Sequence, residues 1–490
     1  MTTTGVTLAS GNRVSHKKVR ETTFGVTPTS PSMKVLRVTS STLQPNIDTV
    51  VSAELRTDRQ IPDQTTVAVK AAGDINFELS FNALDDFFEE VLQGAWTAKP
   101  VLANAATATP ISALSTTTAT VTAGGAAFLA GMICLSSGFA LAANNKTAVV
   151  ASSTGTSIVF PASTFTADAS PQTGATIRVV GFQGASGDIT ATSTGLASTA
   201  LDFTTLGISA GDWINVGGLS AATSFATAAN NVFIRVTGVA AHALTCDNLP
   251  TGWAADAGTG KTISIWYGDE LTNGTALWTS TIERNYSDQA TPTFEYFYGS
   301  ATNGLNMSLE AGKIVTGAVS MVSQTAAYLT SRVAGATDVA APTYPVLNAT
   351  SNFGRIGIGG ATLAGPNYIM SATVDISNNI TADFAVGSLG AIGMTNGDFN
   401  VTGTLNVYFG DTTLLANLLN NAATSLNFTI SDGNSPRESY VIDFPQVKYT
   451  SGQINNVAKN QAVMQAVGYR AVLSPTYGYT AKVTRFWYTE

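Results

Sequence analysis

Catalytic side chains are scarce in this sequence. Its 490 residues include two histidines, His16 and His242, and two cysteines, Cys134 and Cys246. Two histidines exclude a multi-histidine zinc site within one chain. No H-E-x-x-H or Walker A pattern occurs. GTGK, from Gly258 to Lys261, leads into a strand pattern rather than a helix, so it does not read as a phosphate loop. No enzyme, cofactor or metal is expected. Charge is also sparse: 11% of residues are charged and the formal net charge is −8. That balance excludes general affinity for nucleic acid, which requires a basic surface. It suits a surface that DNA slides past. The N-terminal MTTTGVTLASGNRVSHKK lacks the apolar segment of a signal peptide. The most apolar run, Val121 to Ala143, is too rich in Gly and Ser and lacks the basic flank of a membrane span.

What is abundant points to strands and turns. Thr, Ser, Val, Ala and Gly dominate, with 45 glycines, and 44% of residues are hydrophobic. That is too apolar for disorder and suits strands better than helices. A chain of this length holds roughly three or four domains. Cys134 and Cys246 lie in apolar strand-like runs and read as small buried hydrophobes rather than a disulfide.

Two repeats organise the chain. In the charge-poor middle, FLAGMICLSSG at Phe128 to Gly138 matches ISAGDWINVGG at Ile208 to Gly218. AANN follows in each, at Ala142 to Asn145 and Ala228 to Asn231, then a strand and a closing GATIRVVG or GKTISIWYG. Each copy reads as a small β-sandwich or barrel. A fainter repeat links the outer regions: GDINFELSF from Gly73 enters a first helix, and GDFNVTGTLNVYF from Gly397 enters a second. The first helix, NALDDFFEEVLQGAW, has an apolar face of Leu84, Phe87, Phe88, Val91 and Leu92, with Asn82 as N-cap and Gly94 as C-cap. The second runs from Asp411, its cap, to Ala422, with Leu414, Leu415, Leu418 and Leu419 facing a core.

Charge collects in few places. A basic arm carries Arg13, His16, Lys17, Lys18, Arg20 and Lys34. ELRTDRQIPD, on an extended limb broken near Pro62, carries Glu54, Arg56, Asp58, Arg59 and Asp63. Alternating signs there point to salt bridges between subunits. Asp85, Asp86, Glu89 and Glu90 read as a solvated helix face that complements the helix dipole. DISNN (Asp375 to Asn379) and DGN (Asp432 to Asn434) lack calcium-loop spacing and read as turns. Trp213, Trp253 and Trp266 raise a rival reading, a virion or cell-surface adhesin whose β domains bind glycans, although core packing is the ordinary role of such residues. A β-rich hydrolase would need convergent titratable groups that the sequence does not offer.

GNRVSHKKVRETTFGVTPTSPSMKVLRVTS, VVSAELRTDRQIPD and GDINFELSFNALDDFFEEVLQGAW, with STIERNY, LNMSLEAGKIVTGAVSM, FNVTGTLNVYFGD and SYVIDFPQVKYTSG, resemble the major tail tube proteins of long, non-contractile-tailed bacteriophages. The likeness covers nearly all of the outer regions; the middle departs from the compact family pattern. It implies an all-β fold with two short helices. Two tandem tail-tube β-sandwich domains, each flanked by one helix and bearing a long β-hairpin, would span residues 1–104 with 272–328, and 340–490. Two small inserted β domains would occupy 105–184 and 185–271. The implied function is a virion tail tube of stacked rings that conducts double-stranded DNA, assembled in the host cytoplasm with tape-measure and tail terminator or tip proteins. Two tube domains in one chain imply trimeric, pseudo-hexameric rings, with hexameric rings as the alternative. Arg13, Lys17, Lys18, Arg20, Glu54, Arg56, Asp58, Arg59 and Asp63 are the candidate contacts between subunits or rings.

Overall fold

Clean apolar–polar alternation over long segments dictates half-buried strands, and strands dominate the structure. The computed structural model describes residues 9–100, 103–105, 111–171, 174–362, 367–431, 438–455 and 459–487. Two α-helices occur among them, and no helix is long and apolar enough to cross a membrane. The fold is all-β.

The outer regions form one large sheet system in which the same meander is built twice. The first copy comprises β1 (Val14–Arg20), β2 (Gln44–Val51), β3 (Gln64–Glu78), α1 (Asp85–Leu92), β4 (Thr279–Tyr286), β5 (Thr293–Glu310) and β6 (Thr316–Ser323). The second comprises β7 (Ile369–Ser377), β8 (Asn400–Tyr408), α2 (Thr413–Leu419), β9 (Ala423–Ser431), β10 (Ser439–Ile454) and β11 (Met464–Ala471). In the first copy β4 pairs with β5, β5 with β6, and β6 with β3. In the second β9 pairs with β10, β10 with β11, and β11 with β8.

The copies match down to their irregularities. Bulges fall at Ser280/Ile282 and Thr302/Gly304 in one, and at Thr424/Leu426 and Tyr449/Ser451 in the other. Thr42 Oγ1 accepts from Asp74 N at 2.9 Å, and Thr373 Oγ1 accepts from Thr404 N at 3.0 Å. Asn76 donates to Ser40 Oγ and Asn406 to Ser371 Oγ, both at 2.8 Å. Gly73 and Gly403 serve one purpose: a Cβ would meet Thr42 O at 2.4 Å or Thr373 O at 2.1 Å. The equivalent of Gly73 is therefore Gly403, not the Gly397 that the GD motif suggests. GDINFE aligns with GTLNVY.

The helices also differ from expectation at their ends. Asn82 does not cap α1; Leu84 holds that place, without a side-chain hydrogen bond. The left-handed residue after α1 is Gln93 (φ +51), while Gly94 is required because a Cβ would lie 2.4 Å from Thr272 O. Leu84, Phe87, Phe88, Val91 and Leu92 are buried as their spacing requires. In α2 the cap position is Thr412, and Asp411 Oδ1 accepts from Thr413 N at 2.8 Å. Only Leu414 of its leucines is fully buried, and Leu419 is 76% exposed.

The middle region forms a ten-stranded and a four-stranded sheet over one shared hydrophobic core. Its two halves join where Gly181, Phe182 and Gln183 pair with Trp266, Ile265 and Ser264. The AANN repeat is a clamp used twice. Asn145 and Asn231 each bond both the N–H and the carbonyl of one residue, Phe139 or Phe225. Asn144 and Asn230, fully buried, do the same to Thr166 and Ala254. Cys134 and Cys246 are free thiols, both pushed up by burial.

Candidate assembly interface

The two meanders join edge to edge. Gly304 to Glu310 of β5 pair antiparallel with Ser377 to Ser371 of β7. This makes one continuous run of strands from β2 and β3 through β6, β5, β7, β8 and β11 to the end of β10. Facing residues of paired strands share a face, so the run has two distinct surfaces. Ile75, Val319, Leu305, Ile376, Val401 and Leu405 point to the core. The other face carries Asp74, Glu78, Glu310 and Asp375, with Lys448 and Arg470 at its far end. Asn306 donates to Asp375 across the internal seam.

The hairpin β2–β3 extends past this run. Its tip, residues 52–63, carries Glu54, Arg56, Asp58, Arg59 and Asp63, all exposed. Arg56 bonds Asp58 through Nε at 3.0 Å and Nη2 at 2.7 Å, which holds the Asp58 carboxyl below its usual range. Asp63 ties the tip's base together, its carbonyl accepting from Ser52 N at 2.9 Å. Among the described residues Glu54, Arg59 and Asp63 form no ion pair. Leu55 is 99% exposed and Ile61 72%. The alternating charges thus ride on a loop that also presents apolar side chains to solvent, a contact-surface signature when several cluster.

The basic arm sits elsewhere. Residues 14–20 are β1, paired along its length with β4. Lys17 bonds Glu283 at 3.3 Å and Asp338 at 3.0 Å. Lys18 bonds Glu90 at 2.7 Å with both side chains buried, Arg20 bonds Glu89 at 2.8 Å, and Lys34 bonds Asp86 at 3.2 Å. Only Arg13 of the candidate arm contacts is exposed. The acidic face of α1 is therefore not a solvated one. It receives the arm, and Asp85 is buried against Arg485 and Tyr440. Complementary counts of charge in the arm and the helix were the only sequence signal for this pairing.

Buried ion pairs also clamp the middle region to the outer sheets. Arg235 Nη1 lies 3.2 Å from both oxygens of the fully buried Asp443, and its other nitrogens hold Asp247. Burial raises the Asp443 carboxyl despite Arg235 and Lys482 nearby. Asp269, on a strand paired with Lys482–Phe486 in the outer sheet, accepts from Arg178 of the middle region at 3.0 Å, and Lys482 Nζ donates to Gly211 O at 3.1 Å. Trp213 packs here with Phe233, Val441 and Phe486. Trp213 and Trp266 are 1% exposed and offer no face to a sugar. Trp253 is half-buried, its Nε1 donating to Thr192 O at 2.7 Å. No group of three or more potential metal ligands occurs among the described residues. Asp432 to Asn434 lie outside them.

No curated protein matches the chain. A family model described as phage tail tube protein matches it twice, over residues 11–249 and 190–471. Together the two matches span most of a chain whose outer sheets are themselves a duplicated meander, and the chain belongs to the phage tail tube protein family.

Proposed function

We propose that three copies of this chain close into a ring with pseudo-sixfold symmetry, and that the rings stack into the tube through which phage DNA passes. The observation that carries this reading is the internal seam. A sheet that joins two equivalent units edge to edge within one chain, and leaves an edge free at each end, closes on itself by repetition. Six equivalent units then come from three chains rather than six. The polar face of the run, with Asp74, Glu78, Glu310 and Asp375 against Lys448 and Arg470, lines the channel, and its acidic excess repels phosphate. The hairpin tip, through Leu55, Ile61 and its exposed charges, contacts the neighbouring ring. Tape-measure and tail terminator or tip proteins set its length and ends, with assembly in the host cytoplasm.

On this reading the chain divides into tube units 1–104 with 272–328, and 340–490, carrying inserted β units 105–184 and 185–271 on the outside. The buried Arg235–Asp443 pair and the Lys482 Nζ hydrogen bond to Gly211 O support an insert held rigidly rather than tethered. Electron microscopy of the purified full-length chain tests the proposal: tubes are expected. Discrete particles that bind glycans on an array would replace it with the adhesin reading.

A further inference from the structure

We infer that the contact between the middle region and the second meander binds a small inorganic anion of the chloride class, held against Arg355. Ring closure is not a premise of this inference. Among the described residues two arginines are almost fully buried, Arg235 at 3% exposure and Arg355 at 7%. Arg235 is neutralised twice, by Asp247 and by Asp443. Arg355 forms no ion pair among the described residues. Its Nη2 donates to Phe233 O at 2.5 Å, while Nε and Nη1, both closed to solvent, have no partner. Asp247 is the acid whose charge reaches it, yet both oxygens of that carboxylate are already taken by Arg235.

A charge buried without counter-ion or full hydrogen bonding is among the costliest groups a fold can hold. Burial lowers the Arg355 pKa to about 10, opposed by Asp247, and the guanidinium still carries its proton at neutral pH. The charge therefore calls for an anion. The surroundings supply further donors. In the strand Phe353–Ile358, Arg355 faces Thr429 of β9, and the row continues across the sheet through Val441 to Thr484. Thr429 Oγ1 and Thr484 Oγ1 are buried and unpartnered as well. A hydroxyl rotates to aim its hydrogen at whatever acceptor is present. Phe233, whose carbonyl takes Arg355, packs with Trp213, Val441 and Phe486, so the middle region covers the row. Because these donors are closed to solvent, a single-atom anion suits them better than a phosphate or a carboxylate.

The duplication shows that the meander itself does not need this arginine. The matching bulges at Ser280/Ile282 and Thr424/Leu426 make Thr429 the counterpart of Asn285, and Arg355 that of Ser15. The first meander does with a serine. The arginine stands in the copy on which the middle region lands, where the anion joins the two.

The test melts full-length protein in sodium gluconate and in sodium chloride at equal ionic strength. Chloride should raise the wild-type transition by on the order of 5 °C, as a ligand of the folded state does at about 100 times its Kd. Arg355→Met keeps the packing and drops the charge, so its transition should not respond; Thr429→Val should respond less than wild type. Wild-type crystals grown with bromide in place of chloride should show an anomalous peak beside Arg355 and Thr429. No chloride response in wild type, or an equal one in Arg355→Met, overturns the inference. Bromide found only elsewhere on the molecule overturns it too. Should Arg355→Met fail to fold, the bromide peak and the Thr429→Val response decide between the same two outcomes.

Discussion

Replacing Glu90 with alanine tests whether the basic arm is a structural strand rather than a free contact. The Glu90 carboxylate takes Lys18 Nζ at 2.7 Å, Ser280 Oγ at 2.7 Å and Thr302 Oγ1 at 2.8 Å. The Lys18 and Glu90 side chains are 3% and 0% exposed, and Lys18 Nζ lies 4.0 Å from the centre of the Phe87 ring. Removing one partner of such a pair leaves a buried charge, at a cost of about 3–5 kcal/mol. At about 2–4 °C per kcal/mol, the outer-sheet transition should fall by on the order of 10 °C in calorimetry. Glu90→Gln keeps an acceptor for the two hydroxyls and should lose less. Adding Lys18→Met to Glu90→Gln should recover most of the loss, because no charge then stays buried. Salt should not change the difference, since a buried pair is poorly screened. A shift for Glu90→Ala below about 2 °C would mean that Lys18 reaches water and the arm is loose, contrary to this structure.

Burial, and then Arg284 beside it, lower the His16 pKa from 6.5 to about 4. The unfolded chain therefore takes up the proton first as pH falls, so the stability that neutral His16 contributes is complete above pH 6.5 and is lost toward pH 4. His16→Gln should flatten that part of the stability–pH curve, by about 3 kcal/mol across the window; parallel wild-type and variant curves would refute it. Gly403→Ala and Gly73→Ala each drive a Cβ into a backbone carbonyl and should cost about 1–3 kcal/mol. Gly393→Ala, with nothing within 4 Å, should be near neutral in the same melts. Asn144→Ala or Asn230→Ala strips both bonds from a buried clamp, about 1–3 kcal/mol, and should hasten proteolysis of the middle region before the outer sheets; unchanged cleavage would contradict the clamp.

Much of the fold was legible because it rests on local pattern. Period-two alternation marked the strands, 3.6-residue spacing marked α1, and AANN marked the inner repeat before its hydrogen bonds were known. The outer repeat was visible but misaligned. Gly397 and Gly403 are an even number of residues apart, and an even slip leaves every side chain on the same face, so alternation alone does not choose between them. The choice is made by Thr373, whose carbonyl leaves no room for a side chain at Gly403. The acidic face of α1 was misread for a related reason: Lys18 and Glu90 lie 72 positions apart, and no local rule joins them. Leu419 was read as core, yet it is exposed, because helix periodicity reports an apolar face and not what covers it. The exposed hairpin tip was found from charge alone, while Leu55 and Ile61 beside it passed unmarked.

The duplicated meander is the centre of this account, and ring stoichiometry tests it most directly. A three-dimensional reconstruction of the assembled tube, resolving individual chains, should show three chains per ring, each supplying two adjacent and similar units, with the internal β5–β7 seam alternating with the seam between chains. Six chains per ring, or one unit of each chain lying outside the ring, would contradict it.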